Sequence, residues 1–317
     1  MVSMTIKHIN QRLNGFFSIT EEGYRVYKKI KRKYGENICI CVSQHPGLGD
    51  SYLAGLYLNN YYDREFVVTA MGKGSASVYK YLGIKNICML DEHETNRLIQ
   101  FCHFAGIPQE EVRILHHQAL LWNTGIAWNL QGMYNTTFAD LFEAVVFPGA
   151  AREDRSYPSI VRRTDKEMQW EKEGIKKGDT IILFPETNTL SSPPKQFWEE
   201  LVQSLSHKYE VIVTYSTHKS GRIKGTKHVY EEIDNVVNLA QYAGTIVGAR
   251  NGLMDILGIA DCKKIILYPQ MGAEDWIAGK PLEYWSIKNF GYCNDAVELE
   301  WNERNLQEIK ERIVLQC

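Results

Sequence analysis

Short, β-branched apolar runs alternate with amphipathic stretches, twice over, and this constrains the chain more than any other feature. In the first half, "ENICICVS", "EFVVTAMG", "NICMLDE" and "EVRILHH" each read as a buried strand bounded by turn residues. Between them, "SYLAGLYLNNYY" and "SASVYKYLG" read as helices, and another runs from after Arg97 to near Gly106. A second series follows: strands "DTIILFP", "YEVIVTYS", "GTIVGA" and "KKIILYP", with helices "PPKQFWEELVQSLSHK" and "NGLMDILGIAD" among them and "NERNLQEIKERIVLQC" at the end. Strands that are apolar on both faces and separated by helices make a parallel sheet. The expected fold class is therefore α/β with two such halves. In sheets of this kind, ligands sit beyond the carboxyl ends of the strands.

A length of 317 residues accommodates two domains of about 150 each. The boundary is expected at residues 165/166, after the loop "FPGAAREDRSYPSI", with the last helix able to pack back on the first domain. The stretch before that loop is aromatic (Trp122, Trp128, Tyr134, Phe138, Phe142, Phe147), reads more readily as core than as a binding surface, and contains a helix candidate at Phe138–Val146.

A net charge of -2 provides no basic field for nucleic acid. No run reaches the roughly 18 apolar residues of a membrane span, and "MVSMTIKHINQRLNGFF" does not read as a signal peptide. The seven cysteines have no C-x-x-C spacing and read as reduced core residues of a cytoplasmic protein. The nine histidines form no metal motif, so no metal site and no cofactor are expected. One basic cluster, "YKKIKRKYG", closes a helix expected from about Thr20 to Tyr34. It reads as a solvated helix end suited to the dipole, or as a patch touching an anionic membrane at the inner face.

Four strand ends carry unusual residues. In "QHPGLGDS", Gly47 and Gly49 permit close approach of a ligand, and Asp50 falls at a helix N-terminus, either as a reactive carboxylate or as a simple cap. The loop is G-x-G-D, which is not a dinucleotide fingerprint and argues against a dehydrogenase. In "FPETNTLSSPPKQFW", Thr187, Asn188 and Thr189 precede Lys195 in a first helical turn. Hydroxyls and a lysine beside helix N–H groups can cradle a phosphate, although a solvated lysine fits as well. In "VGARNGLMD", Arg250, Asn251, Gly252 and Leu253 enter a helix, and Arg250 is suited either to a phosphate or to pairing with Asp255. In "YPQMGAEDWIAG", Gln270 and Glu274 could line a nucleotide or sugar pocket or belong to an ordinary loop.

The order of these loops resembles the GT-B glycosyltransferases, and among them the ADP-heptose:lipopolysaccharide heptosyltransferases of glycosyltransferase family 9. "GLGDS" is similar to the family's opening G-D turn, "FPETNTLSSPPKQFW" to its hydroxyl-rich donor loop, and "VGARNGLMD" to its later glycine turn. Arg250 stands where the family has aspartate, and Asp255 where it has histidine. The resemblance implies two Rossmann-like domains facing each other across a cleft, with the acceptor on the first and the donor on the second.

It also implies metal-independent, inverting sugar transfer from a nucleotide-sugar donor to a glycan or lipid-linked acceptor, in cell-surface polysaccharide or lipopolysaccharide assembly. Asp50 would be the general base, with His45 the nearby substitute. Thr187, Asn188, Thr189, Lys195, Arg250, Asn251, Gly252 and Leu253 would hold the diphosphate, with Asp255, Gln270 and Glu274 near the sugar or base. A nucleotide-sugar 2-epimerase, a polyol-phosphate transferase and a non-catalytic α/β binding protein remain alternatives.

Overall fold

The computed structural model describes residues 2–116, 136–188, 190–218, 221–270 and 281–317, with residues 2–17, Leu141 and Pro281 described by their backbone alone. The chain divides into two compact units. The first comprises residues 1–122 and 142–157, the second 123–141 and 158–317. The last switch between units thus falls at 157/158, and an earlier segment belongs to the second unit.

The first unit opens with helix α1 (Val2–Tyr34), followed by β1 (Cys39–Val42), α2 (Leu48–Tyr61), β2 (Phe66–Ala70), α3 (Lys73–Tyr81), β3 (Ile87–Met89), α4 (Glu92–Phe104) and β4 (Val112–Ile114). The strands form one parallel sheet in the order β3-β2-β1-β4. Helix α4 begins as its sequence "DEHE" dictates. The Asp91 carboxylate accepts the Glu94 N–H at 2.7 Å, and Glu94 accepts the Asp91 N–H in return. Helices α1 and α4 cross at Gly23, where a β-carbon would overlap the Arg97 carbonyl oxygen and the Phe101 β-carbon, so only glycine permits this approach. Helix α1 starts at Val2 rather than near Thr20, with the Asn14-Gly15 pair carried inside the helix.

The basic cluster at the end of α1 is largely committed. Lys31 is 2% exposed, donates to the Glu36 and Ile38 carbonyls at 2.7 and 2.9 Å, and lies 3.3 Å from Glu111. Lys29 pairs with Glu94 at 2.8 Å, and Lys28 with Glu36 at 3.5 Å. These contacts match a helix end tied into its own unit.

After α5 (Phe138–Val146), the second unit adds α6 (Thr164–Lys172), β5 (Thr180–Phe184), α7 (Lys195–Leu205), β6 (Val211–Tyr215), β7 (Lys227–Val229), α8 (Ile233–Ala243), β8 (Gly244–Ala249), α9 (Gly252–Leu257), β9 (Lys263–Pro269), α10 (Pro281–Trp285), β10 (Val297–Trp301) and α11 (Leu306–Gln316). Its six strands are all parallel, ordered β10-β9-β8-β5-β6-β7. Helix α8 passes straight into β8 through Gly244 at φ +92°, a left-handed conformation that favours glycine.

One face of α7, Phe197, Trp198, Leu201, Val202 and Leu205, is buried in the second core, each such side chain contributing roughly 1.5–3 kcal/mol of burial. Ile309 and Ile313 of α11 enter the same core, and Lys310 pairs with Glu200 on α7 at 2.7 Å. The apolar face of the last helix thus lies in the second unit's own core. The aromatic residues Phe138, Phe142 and Phe147 are buried; Trp122, Trp128 and Tyr134 lie outside the described residues. All seven cysteines are unpaired thiols, five of them buried.

Candidate active site

In both sheets the strand order reverses beside the first strand, between β1 and β4 and again between β5 and β8. Connections diverge at such a point and leave a crevice beyond the strand ends. Three of the four loops singled out from the sequence leave β1, β5 and β8, and the fourth follows β9.

In the first unit the loop after β1 turns into α2 at Gly47, which is the N-cap and has no side chain to offer. Asp50 is the third helical residue, half-buried, so it does not cap the helix from the N-cap position. Its carboxylate folds back over Gly47: a β-carbon there would stand 2.7 Å from Asp50 Oδ2. Glycine at 47 thus leaves room for the carboxylate at the mouth of the turn. His45 is exposed in the same loop, and its ring meets His116 edge-on at 4.4 Å. His116 follows β4, across the strand-order reversal, and the Leu115 N–H donates to the Val42 carbonyl at 2.8 Å to join the two strand ends. His116 was not singled out from the sequence; its place just after the strand neighbouring β1 is the signal that would have found it.

Behind Asp50 the loop is braced by small hydroxyls. The Ser43 N–H donates to Thr69 Oγ1 at 3.1 Å, and the Ser43 hydroxyl to the His45 carbonyl at 3.2 Å. Ser51 and Ser75 share a hydrogen bond of 2.7 Å. Tyr79 is fully buried there, and burial pushes its phenol up to about 12, with the Asp50 charge adding to the rise.

In the second unit the loop after β5 carries Glu186, Thr187 and Asn188. Thr187 donates its hydroxyl to the Leu190 carbonyl, so that proton is used within the loop. Asn188 is exposed; Thr189 and Glu274 lie outside the described residues. Lys195 is the first residue of α7, its side chain 65% exposed, and its nearest carboxylate, Glu199, is 4.0 Å away. A cation at that end of a helix opposes the dipole, and an anion bound there would relieve it. Glu186 accepts the N–H and hydroxyl of Thr217 at 3.3 and 3.4 Å, which brings the end of β6 into the same cluster.

In the turn after β8, Arg250 and Leu253 make contacts within the turn itself. Arg250 is 5% exposed and points inward. It meets the Asp255 carboxylate at 2.7 and 3.3 Å and donates to the Asn251 and Trp285 carbonyls at 2.6 and 3.0 Å. Burial works against its charge, and the Asp255 carboxylate more than offsets this, raising the guanidinium above its ordinary value. The Leu253 N–H is also taken, since Asn251 Oδ1 accepts it and the Met254 N–H at 2.9 and 3.1 Å. The other end of the Asn251 amide donates to the Glu186 carbonyl at 2.7 Å, linking the loops after β5 and β8. Gly252 opens α9 beside it. Gln270, at the end of β9, accepts a hydrogen bond from Asn302, which fixes it to the segment after β10.

Among the described residues, no three His, Cys, Asp or Glu side chains stand together as metal ligands, and no helix is long and apolar enough to cross a membrane.

No protein-family model and no curated protein matches the sequence. Solved structures do match the fold. The ADP-heptose lipopolysaccharide heptosyltransferase II of E. coli superposes with a TM-score of 0.58 at 13% identity, over 88% of this chain and 97% of that one. A family 9 glycosyltransferase from Veillonella parvula gives 0.52 at 13% identity, over 87% and 89%. E. coli heptosyltransferase WaaC with ADP-2-deoxy-2-fluoro heptose gives 0.50 at 10% identity, over 88% and 100%. Two parallel Rossmann-type units in one chain, matched across nearly the whole length of these enzymes, establish that the chain has the GT-B fold of the family 9 heptosyltransferases.

Proposed function

We propose that the protein is a glycosyltransferase that moves a sugar from a nucleoside diphosphate donor to a hydroxyl of a glycan or lipid-linked acceptor. The observation that carries this reading is the pairing of the fold with Asp50, a half-buried carboxylate held over Gly47 at the strand-order reversal of the first unit. Asp50 takes the proton from the acceptor hydroxyl as that oxygen attacks the anomeric carbon, and His45 is the second candidate for this step. The bond from the anomeric carbon to the diphosphate breaks, and the diphosphate leaves with the electron pair.

Lys195, Asn188, Thr189 and the start of α9 at Gly252 receive the diphosphate in the second unit, and Thr187 shapes the loop through its bond to the Leu190 carbonyl. Lys195 supplies the positive charge that stabilises the leaving group. Arg250, Asp255, Asn251 and Leu253 shape the turn through their contacts with one another. Gln270 and Glu274 are the candidates for contacts to the sugar or base. Transfer with inversion and without a divalent ion, at the cytosolic face of a membrane that presents the acceptor, completes the reading.

The test is a thermal-shift screen of the purified protein against UDP, GDP, ADP, dTDP, CDP and CMP, followed by nucleotide release from the matching sugar donors. One diphosphate should stabilise the protein, and Asp50→Asn should lower turnover by about 10²–10⁴-fold with nucleotide binding unchanged. No shift with any nucleotide, or full turnover by Asp50→Asn, would refute the proposal.

A further inference from the structure

A cavity of about 300 Å³ lies along β4 in the first unit, lined by Ile107, Pro108, Val112, Ile114 and Val145, with Arg113 among them. Strand β4 is an edge of the described sheet and pairs only with β1. The walls come from the end of α4, the turn before β4 and the last turn of α5, so the cavity belongs to the first unit alone. It is formed by other residues than Asp50, His45 and Gly47.

Arg113 is the unusual member. It is 7% exposed. Among the described residues no carboxylate pairs with it, and its one hydrogen bond is from Nη1 to the Val146 carbonyl at 2.6 Å. That bond places the cation at the C-terminal end of α5, which suits the helix dipole, and the guanidinium lies 5.1 Å from the centre of the Tyr61 ring. Neither contact supplies a full negative charge. Among the described residues, Nε is buried without any hydrogen-bond partner and Nη2 makes no hydrogen bond either. The other buried or nearly buried cations are treated differently: Arg250 has Asp255, Arg155 has Glu143, Lys31 has Glu111 and Lys264 has Asp295. A buried charge is costly unless paired and hydrogen-bonded. Here an unpaired cation with unused donors borders a cavity whose remaining walls are mostly apolar.

We propose that this cavity binds a small amphiphilic anion, a carboxylate or phosphate monoester whose charge meets Arg113 and whose apolar body lies against Ile107, Val112 and Val145. This site is separate from the proposed donor and acceptor loops and stands whether or not the protein transfers sugars.

The experiment is calorimetric titration of the full-length protein with octanoate, octyl phosphate, acetate and inorganic phosphate. One octyl compound should bind saturably at one site, at least tenfold more tightly than its head group alone, and the preferred head names the class of ligand. Arg113→Gln should weaken it at least tenfold. Val145→Phe, which fills the cavity and leaves Arg113 in place, should do the same and carries the test if Arg113→Gln does not fold. Lys195→Ala should bind as the wild type does. The proposal is overturned by the absence of saturable binding, by octyl compounds no tighter than acetate and phosphate, by wild-type affinity in Val145→Phe, or by loss of binding in Lys195→Ala, which would place the anion at the loop before α7.

Discussion

Removing the Asp255 carboxylate isolates the energetics of the turn after β8. Arg250 and Asp255 have side chains only 6% and 7% exposed, and their ion pair is two-pronged at 2.7 and 3.3 Å. In Asp255→Ala the guanidinium keeps its bonds to two carbonyls and loses the one carboxylate paired with it among the described residues. Breaking a buried pair from one side costs about 3–5 kcal/mol, because the surviving charge is left uncompensated. At about 2–4 °C per kcal/mol for a unit of this size, the melting temperature should fall by roughly 6–20 °C. The double change Arg250→Met with Asp255→Leu removes both charges at similar volume, and its stability should return to within about 1 kcal/mol of the wild type or exceed it. Urea unfolding followed by circular dichroism measures all three proteins. A loss below about 1 kcal/mol in Asp255→Ala would refute the argument, since it would mean that water or another group compensates Arg250. A double variant as weak as the single one would show that shape, not charge, holds the turn.

Three further outcomes follow from single contacts. Gly47→Ala should leave stability within about 0.5 kcal/mol, because Gly47 has an ordinary negative φ, yet lower turnover at least tenfold by displacing the Asp50 carboxylate; paired melting and kinetic measurements check it. Lys195→Ala should weaken nucleoside diphosphate binding about tenfold or more in calorimetry without changing the melting temperature, since the side chain is exposed. The hydrogen bond from Tyr27, then that from Lys31, holds the Glu111 carboxyl below its ordinary value. Its contribution is therefore complete above the unfolded value and lost as pH falls through the folded one, so Glu111→Gln should flatten the fall in stability below about pH 5 in acid titrations.

The central strands were legible because strands buried on both faces leave a continuous apolar signature: "CICV", "FVVTA", "TIILF" and "KKIILYP" need no partner to be recognised. Strands β7 and β10 were not, since "KHV" is three residues long and "VELEW" alternates, and both lie at sheet edges, where one side is unpaired. The site divides similarly. Lys195 was legible because its exposed place at a helix start is a local property. The inward turn of Arg250 was one of two open readings, since the choice between Asp255 and an outside anion depends on how α9 leaves β8. The contact between His45 and His116 depends on β1 and β4 being neighbours, which seventy residues of intervening chain conceal.

The Asn251 side chain has a mechanical consequence. One end of its amide closes the first turn of α9, and the other end clasps the backbone after β5. A single rotamer therefore serves two loops that are sixty-five residues apart in sequence. If that rotamer flips, α9 loses its cap and the 186 carbonyl loses its donor in the same event. The loops thus open as one cooperative piece, and a molecule that immobilises either of them slows hydrogen exchange in both.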